Sequence, residues 1–108
     1  MNLKAKMVVD TIRWSLEKQG IQVYIEHKGD NDAGAIFIKH YKGEGLYEVY
    51  HRVNDVNAGK KIRFLNTFTE ENITDFFKKQ MDIDNDLWLI EVVSKGYDLD
   101  SLFLKQGL

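Results

Sequence analysis

Cysteine and proline are both absent from the 108-residue sequence. Without cysteine there is no disulfide, no thiolate nucleophile and no zinc–thiolate site. Without proline, turns have to be built from Gly, Asn and Asp, which tolerate positive φ or bond their own backbone, so these residues become the punctuation of the chain. Long apolar runs are missing as well. None approaches the roughly 18 residues that span a membrane, and Asp10 interrupts the opening MNLKAKMVVD before a signal-peptide core could form. Neither sign of charge dominates: the net charge is -2, with acids and bases interspersed, so no long-range field draws the chain toward nucleic acid or an anionic membrane. These absences lead us to expect a cytoplasmic protein that does not enter a membrane and for which nucleic acid is a disfavoured partner.

What is present is the mixture of a globular protein, 44% apolar and 30% charged residues. At this length one core suffices, and folding hides roughly two-thirds of the surface of the unfolded chain. Residues 1–108 are expected to form a single domain. Over residues 3–19, Ala5, Val8, Ile12 and Leu16 recur three or four apart, the stripe of a core-facing helix that Gly20 ends. Leu3, Met7 and Trp14 fall nearly opposite on the same wheel, so the helix is apolar on two sides and its second side requires an internal lid or another molecule.

Two strand-like runs, IQVYIEHK and AGAIFIKHY, flank Gly29, Asp30, Asn31 and Asp32, and a third, LYEVYHRV, follows Lys42, Gly43, Glu44 and Gly45. Short Gly-bearing connectors predict a meander of two hairpins. Centring each turn in its connector sets Val23 opposite Ile38 on one face, and Tyr24, Phe37 and Tyr50 in an aromatic row on the other. A slip of one residue would destroy that row. KKIRFLN reads as a fourth strand. Thr67 and Glu70 have capping-box spacing at the start of a second helix whose buried stripe is Ile73, Phe76, Phe77 and Met81. LWLIEVV, unbroken in its apolar character, reads as a central strand, and the tail YDLDSLFLKQGL reads equally as strand or helical turn. The expected fold is α+β, an antiparallel sheet of four or five strands with one face covered by two helices, in the order α-β-β-β-(β)-α-β.

Chemical motifs are sparse. Calcium loops begun at Asp30 or Asp82 fail at the glycine and glutamate positions, which leaves the acids as turn caps or, alternatively, as a looser divalent-ion site. The pattern sets His27 and His51 at one end of the sheet and His40 at the other, as edge or surface residues, too scattered for a three-histidine centre. No serine lies in a nucleophile elbow, and KGEG lacks the phosphate-loop pattern.

Three pieces, LKAKMVV, KGDNDAGAIFIK and DNDLWLIEV, together resemble the domain of unknown function 1491 family, small alphaproteobacterial proteins of about this length. The resemblance rests on Lys28, Gly29, Asp30, Asp32, Ala33, Gly34 and Ala35 in one turn and on Asp84, Asp86, Leu87 and Trp88 in another. Asn85 stands where the pattern has proline, and the C-terminal tail does not match. The family carries no assigned activity. The resemblance implies that the two acidic turns share one place in the fold.

On this basis the chain is expected to be a non-enzymatic interaction module, a homodimer or the docking site of another protein, with no cofactor and with Trp14, Met7, Tyr24, Phe37 and Tyr50 as candidate anchors. The alternative is a divalent-ion or small-ligand site, of possible hydrolytic use, at Asp30, Asp32, Asp84 and Asp86.

Overall fold

The computed structural model describes residues 3–108. In chain order it contains α1 (Ala5–Glu17), β1 (Gln22–His27), β2 (Ile36–Gly43), β3 (Leu46–Asp55), β4 (Gly59–Thr69), α2 (Glu70–Ile83), β5 (Trp88–Val93) and α3 (Leu99–Lys105). The α+β order is the one expected, with the tail resolved as a third helix. Asp98 begins that helix by accepting a bond from the Ser101 amide at 3.2 Å.

The sheet has five strands in the order β1-β5-β2-β3-β4 and is mixed rather than purely antiparallel. β5 pairs antiparallel with β1 and parallel with β2. The unbroken apolar run of β5 thus takes the central place its composition indicated, for a strand buried on both faces has no polar side to present. This insertion cancels the first expected hairpin, since β1 and β2 are not neighbours. Their connector is eight residues long, 28–35, and is occupied by contacts to the segment before β5 instead of by a tight hairpin turn.

The second hairpin exists with a shifted register. Glu44 and Gly45 both have positive φ, 55° and 73°, the backbone of a type I′ turn. An irregularity between Tyr41 and Gly43 then sets Phe37 opposite His51 and Ile38 opposite Tyr50. Because side chains alternate, that one-residue shift moves Tyr50 to the other face from Phe37.

Helices cover both faces of the sheet, where the sequence pattern had placed two on one face. α1 and α3 enclose one core, built on Val8, Ile12, Leu16, Ile38, Ile90 and Phe103. α2 encloses the other, with Ile73 and Phe77 packed on Phe37, Val49 and Leu89. The α2 stripe is the one expected, although its cap is Thr69, which accepts from the Asn72 amide at 3.3 Å, and not Thr67. Each fully buried aliphatic side chain contributes about 2 kcal/mol. The two cores meet at β5, where Ile90 and Val92 point to one and Leu89 to the other.

Candidate functional site

Two regions concentrate the residues that the sequence singled out. The first is the end of the sheet where the turn carrying Asp30 and Asp32 meets the turn carrying Asp84 and Asp86. The meeting is made by backbone. The Asp30 amide donates to the Asp86 carbonyl at 2.8 Å, the Trp88 amide to the Ala35 carbonyl at 2.6 Å, and the Trp88 indole N–H to the Asp30 carbonyl at 2.7 Å. His27 Nδ1–H donates to the Leu87 carbonyl at 2.7 Å, which fixes that ring's tautomer, since a carbonyl can only accept. Gly29 and Gly34 are required by closeness. A Cβ on Gly29 would lie 2.3 Å from the Asp86 carbonyl oxygen, and one on Gly34 would lie 2.4 Å from the same atom.

Two of the four carboxylates at this latch, those of Asp30 and Asp84, hold their own turns. Asp30 Oδ2 accepts from the amides of Asp32 and Ala33 at 3.0 and 2.9 Å, and these bonds hold its carboxyl below the usual range. Asp84 accepts from the Asp86 amide at 2.9 Å, and Asp32 lies 3.6 Å from the Lys4 ammonium. The same turn also caps α1. Asn31 and Asp32 offer their carbonyls to the Lys6 and Ala5 amides at 2.9 and 3.2 Å, replacing the side-chain cap that Lys4 cannot supply. Sequence reasoning missed this backbone cap, because no side-chain pattern marks it. Among the described residues, no three His, Asp or Glu side chains are gathered as a metal site.

The second region is the outer face of α1. Trp14 is 65% exposed and Met7 52% exposed, opposite the buried stripe of the same helix. Ion pairs Lys6–Asp10 at 2.6 Å and Arg13–Glu17 at 3.0 Å flank them, and the Lys18 ammonium sits 4.2 Å from the Trp14 ring centroid. No second helix or loop supplies the internal lid among the described residues.

The expected aromatic row is dispersed. Phe37 is buried beneath α2, edge-on to Phe77 at 5.6 Å, and Tyr50 is buried on the opposite face between Phe64 and Phe103. Tyr24 is half exposed on the edge strand β1, opposite Glu91. The insertion of β5 and the bulge after Tyr41 account for the change. Only Tyr24 of the three is placed to meet another molecule.

His40 departs from the edge or surface reading, whereas His27, on the edge strand, and His51 are partly exposed. His27 and His51 do lie level on one face, but Leu89 and Phe37 stand between them across the sheet. His40 is fully buried. Its Nε2–H donates to the Ser94 carbonyl at 2.6 Å while Nδ1 has no partner among the described residues, and burial lowers its pKa. Beside β1, Lys39 bridges Glu26 at 2.9 Å and Glu91 at 3.5 Å, a half-buried network whose three members come from three strands.

Comparison with known proteins adds the following. The family model described as "Protein of unknown function (DUF1491)" matches residues 3–99. A solution structure from A. tumefaciens is similar, with TM-score 0.75 and 24% identity, over 90% of this chain and 90% of that one. A crystal structure of a DUF1491 family protein from Caulobacter crescentus CB15 has TM-score 0.73 and 21% identity, covering 88% and 89%. An NMR structure of a DUF1491 family protein from the same organism has TM-score 0.73 and 20% identity, covering 89% of each chain. At these identities the likeness establishes the fold alone. No curated protein matches the chain.

Proposed function

The chain belongs to the DUF1491 family of proteins of unknown function, and on that premise we propose that it is a non-enzymatic interaction module of the cytoplasm that associates with a second copy of itself through the outer face of α1. The observation that carries this reading is the exposure of Trp14 and Met7, two turns apart on one helix and outside both hydrophobic cores. Tryptophan and methionine are among the residues enriched where protein surfaces meet. Charge complementarity favours a second copy as the occupant. The stripe is bordered by Lys6, Arg13 and Lys18 and by Asp10 and Glu17. Such a mixed border meets its own two-fold image with opposite charges available on both sides. Antiparallel apposition of two α1 helices sets Met7 of each copy against Trp14 of the other.

Sedimentation equilibrium tests this. The expected mass is twice the 12.6 kDa of the chain, reduced to one chain in Trp14→Ala. A wild-type monomer at every concentration would contradict it.

Ion binding is a second reading, favoured by one observation, the contact between the two acidic turns. It requires magnesium, calcium or manganese to raise the unfolding midpoint, and Asp86→Asn to abolish the rise. An unchanged midpoint at millimolar ion sinks it.

A further inference from the structure

The two edges of the sheet are guarded differently. β4, at one edge, carries Lys60, Lys61 and Arg63, and its Ile62 amide donates to the Leu108 carbonyl at 2.9 Å. Lysine on an edge strand and a segment laid against it are two ordinary ways of keeping such an edge from pairing with another chain. β1, at the other edge, has neither lysine nor proline, and no backbone bond joins its outer side to another described residue. Its protection is a bulge at Glu26, the residue skipped between the Ile25–Ile90 and His27–Leu89 pairs, which confines the open edge to residues 22–25. Within that stretch Tyr24 is 48% and Ile25 38% exposed.

The side chains along this edge sort by face. Val23 and Ile25 lie level with Val92 and Ile90 on the apolar face covered by α1 and α3. Tyr24 lies level with Glu91 on the α2 face, where the bulge also delivers Glu26. One ammonium serves both carboxylates there: Lys39 reaches Glu26 at 2.9 Å and Glu91 at 3.5 Å. Burial holds the Glu91 carboxyl above its ordinary pKa in spite of Lys39. Lys78 and Asp82 of α2, which line the cleft between that helix and this corner of the sheet, balance one another. Lys28 lies past the bulge, in the connector to β2. The α2 side of the open edge is therefore left with a negative charge to spare, and the α1 side is apolar.

We propose that β1 is a docking edge for an extended segment of another protein, which joins the sheet as an added strand and alternates basic with apolar side chains. In this mode of recognition main-chain hydrogen bonds supply the attachment and alternate side chains the selection. A lysine or arginine on the α2 face meets the Glu26–Glu91 pair and the Tyr24 ring, and the intervening apolar residues extend the Val23–Ile25 row on the other face. A second copy of β1 is the poorer occupant, since it brings the same excess of negative charge to the edge.

The test is a titration of the 15N-labelled protein with a short capped peptide that alternates valine and arginine, and with its valine–glutamate counterpart, following amide shifts and amide hydrogen exchange. The arginine peptide is expected to give saturable shifts in residues 22–26 and at Glu91 and to slow exchange of the outward-facing β1 amides. The β4 amides should be unaffected, and the glutamate peptide should produce neither effect. Slowed exchange separates strand addition from a simple attraction of arginine to surface carboxylates, which moves shifts alone. Glu26→Lys should weaken binding at least about tenfold, because it turns an attraction into a repulsion, and Glu26→Gln should weaken it less, with the Trp88 indole signal native in both. Shifts without slowed exchange, equal binding of the glutamate peptide, or binding undiminished in folded Glu26→Lys would overturn the proposal. So would β1 protection that rises with protein concentration in the absence of peptide, which would give the edge to a second copy.

Discussion

The latch between the acidic turns and the outer face of α1 invert the importance their sequences suggest. KGDNDAGA and DNDLW are conspicuous, dense in Gly and Asp, and have the look of ligand chemistry. In the structure their amides, carbonyls and the Trp88 indole bind one another, Gly29 and Gly34 admit the Asp86 backbone, and the Asp30 carboxylate holds its own turn. Met7 and Trp14 form no motif beyond a helical spacing, and they lie outside both cores, with the Lys18 ammonium over the Trp14 ring. A strong local pattern is accounted for by folding, and a plain one is left exposed at the surface.

The comparison can be broken most forcefully at the glycines. Gly34→Ala forces a methyl onto the Asp86 carbonyl, with no flexible side chain there to yield, and should cost about 3 kcal/mol in denaturant unfolding, the upper range of overpacking. Gly29→Ala should behave alike, and a neutral result at both would dissolve the latch. Trp88→Phe keeps most of the apolar bulk but leaves the Asp30 carbonyl without its indole donor, a loss of about 2 kcal/mol by the same assay.

A milder effect is expected from pH. Burial lowers the His40 and His51 pKa values in the folded state, so the unfolded chain takes up protons first as the solution is acidified. Stability should therefore fall as pH drops below about 6.5, the unfolded histidine value, and level off once the folded-state pKa is passed. Chemical denaturation at a series of pH values reads this directly, and His40→Gln should flatten part of the slope. Asp30 acts at lower pH. Its depressed pKa makes its contribution present above the ordinary carboxylate value and lost as pH falls through the folded one.

The smallest change in stability should come from Trp14→Ala. An exposed side chain without a core role is expected to alter unfolding of the separated chain by less than about 0.5 kcal/mol, while the proposed association should be lost. The contrast with Trp88→Phe sharpens the comparison, for the two tryptophans then divide cleanly between folding and assembly.

Much of the fold was legible. The stripes of α1 and α2 follow from 3.6-residue periodicity, and the apolar run of β5 announced a strand buried on both faces. Pairing was not legible in the same way. The connector at 28–35 has the composition of a hairpin turn, and its actual partner, Asp86, lies more than fifty residues away. The register of β2 against β3 failed by one residue because the bulge beside Gly43 leaves no trace in a period-two pattern. That single residue dispersed Phe37 and Tyr50 to opposite faces.

The central claim concerns the α1 face, and the most direct measurement is an isotope-filtered NOE experiment on an equal mixture of labelled and unlabelled protein. Cross-peaks between the Met7 methyl of one copy and the Trp14 indole of the other are the expected result. Their absence at concentrations where the sedimented mass is doubled, or intermolecular peaks to Tyr24 and Ile25 of β1 in their place, would contradict the assignment of the interface to α1.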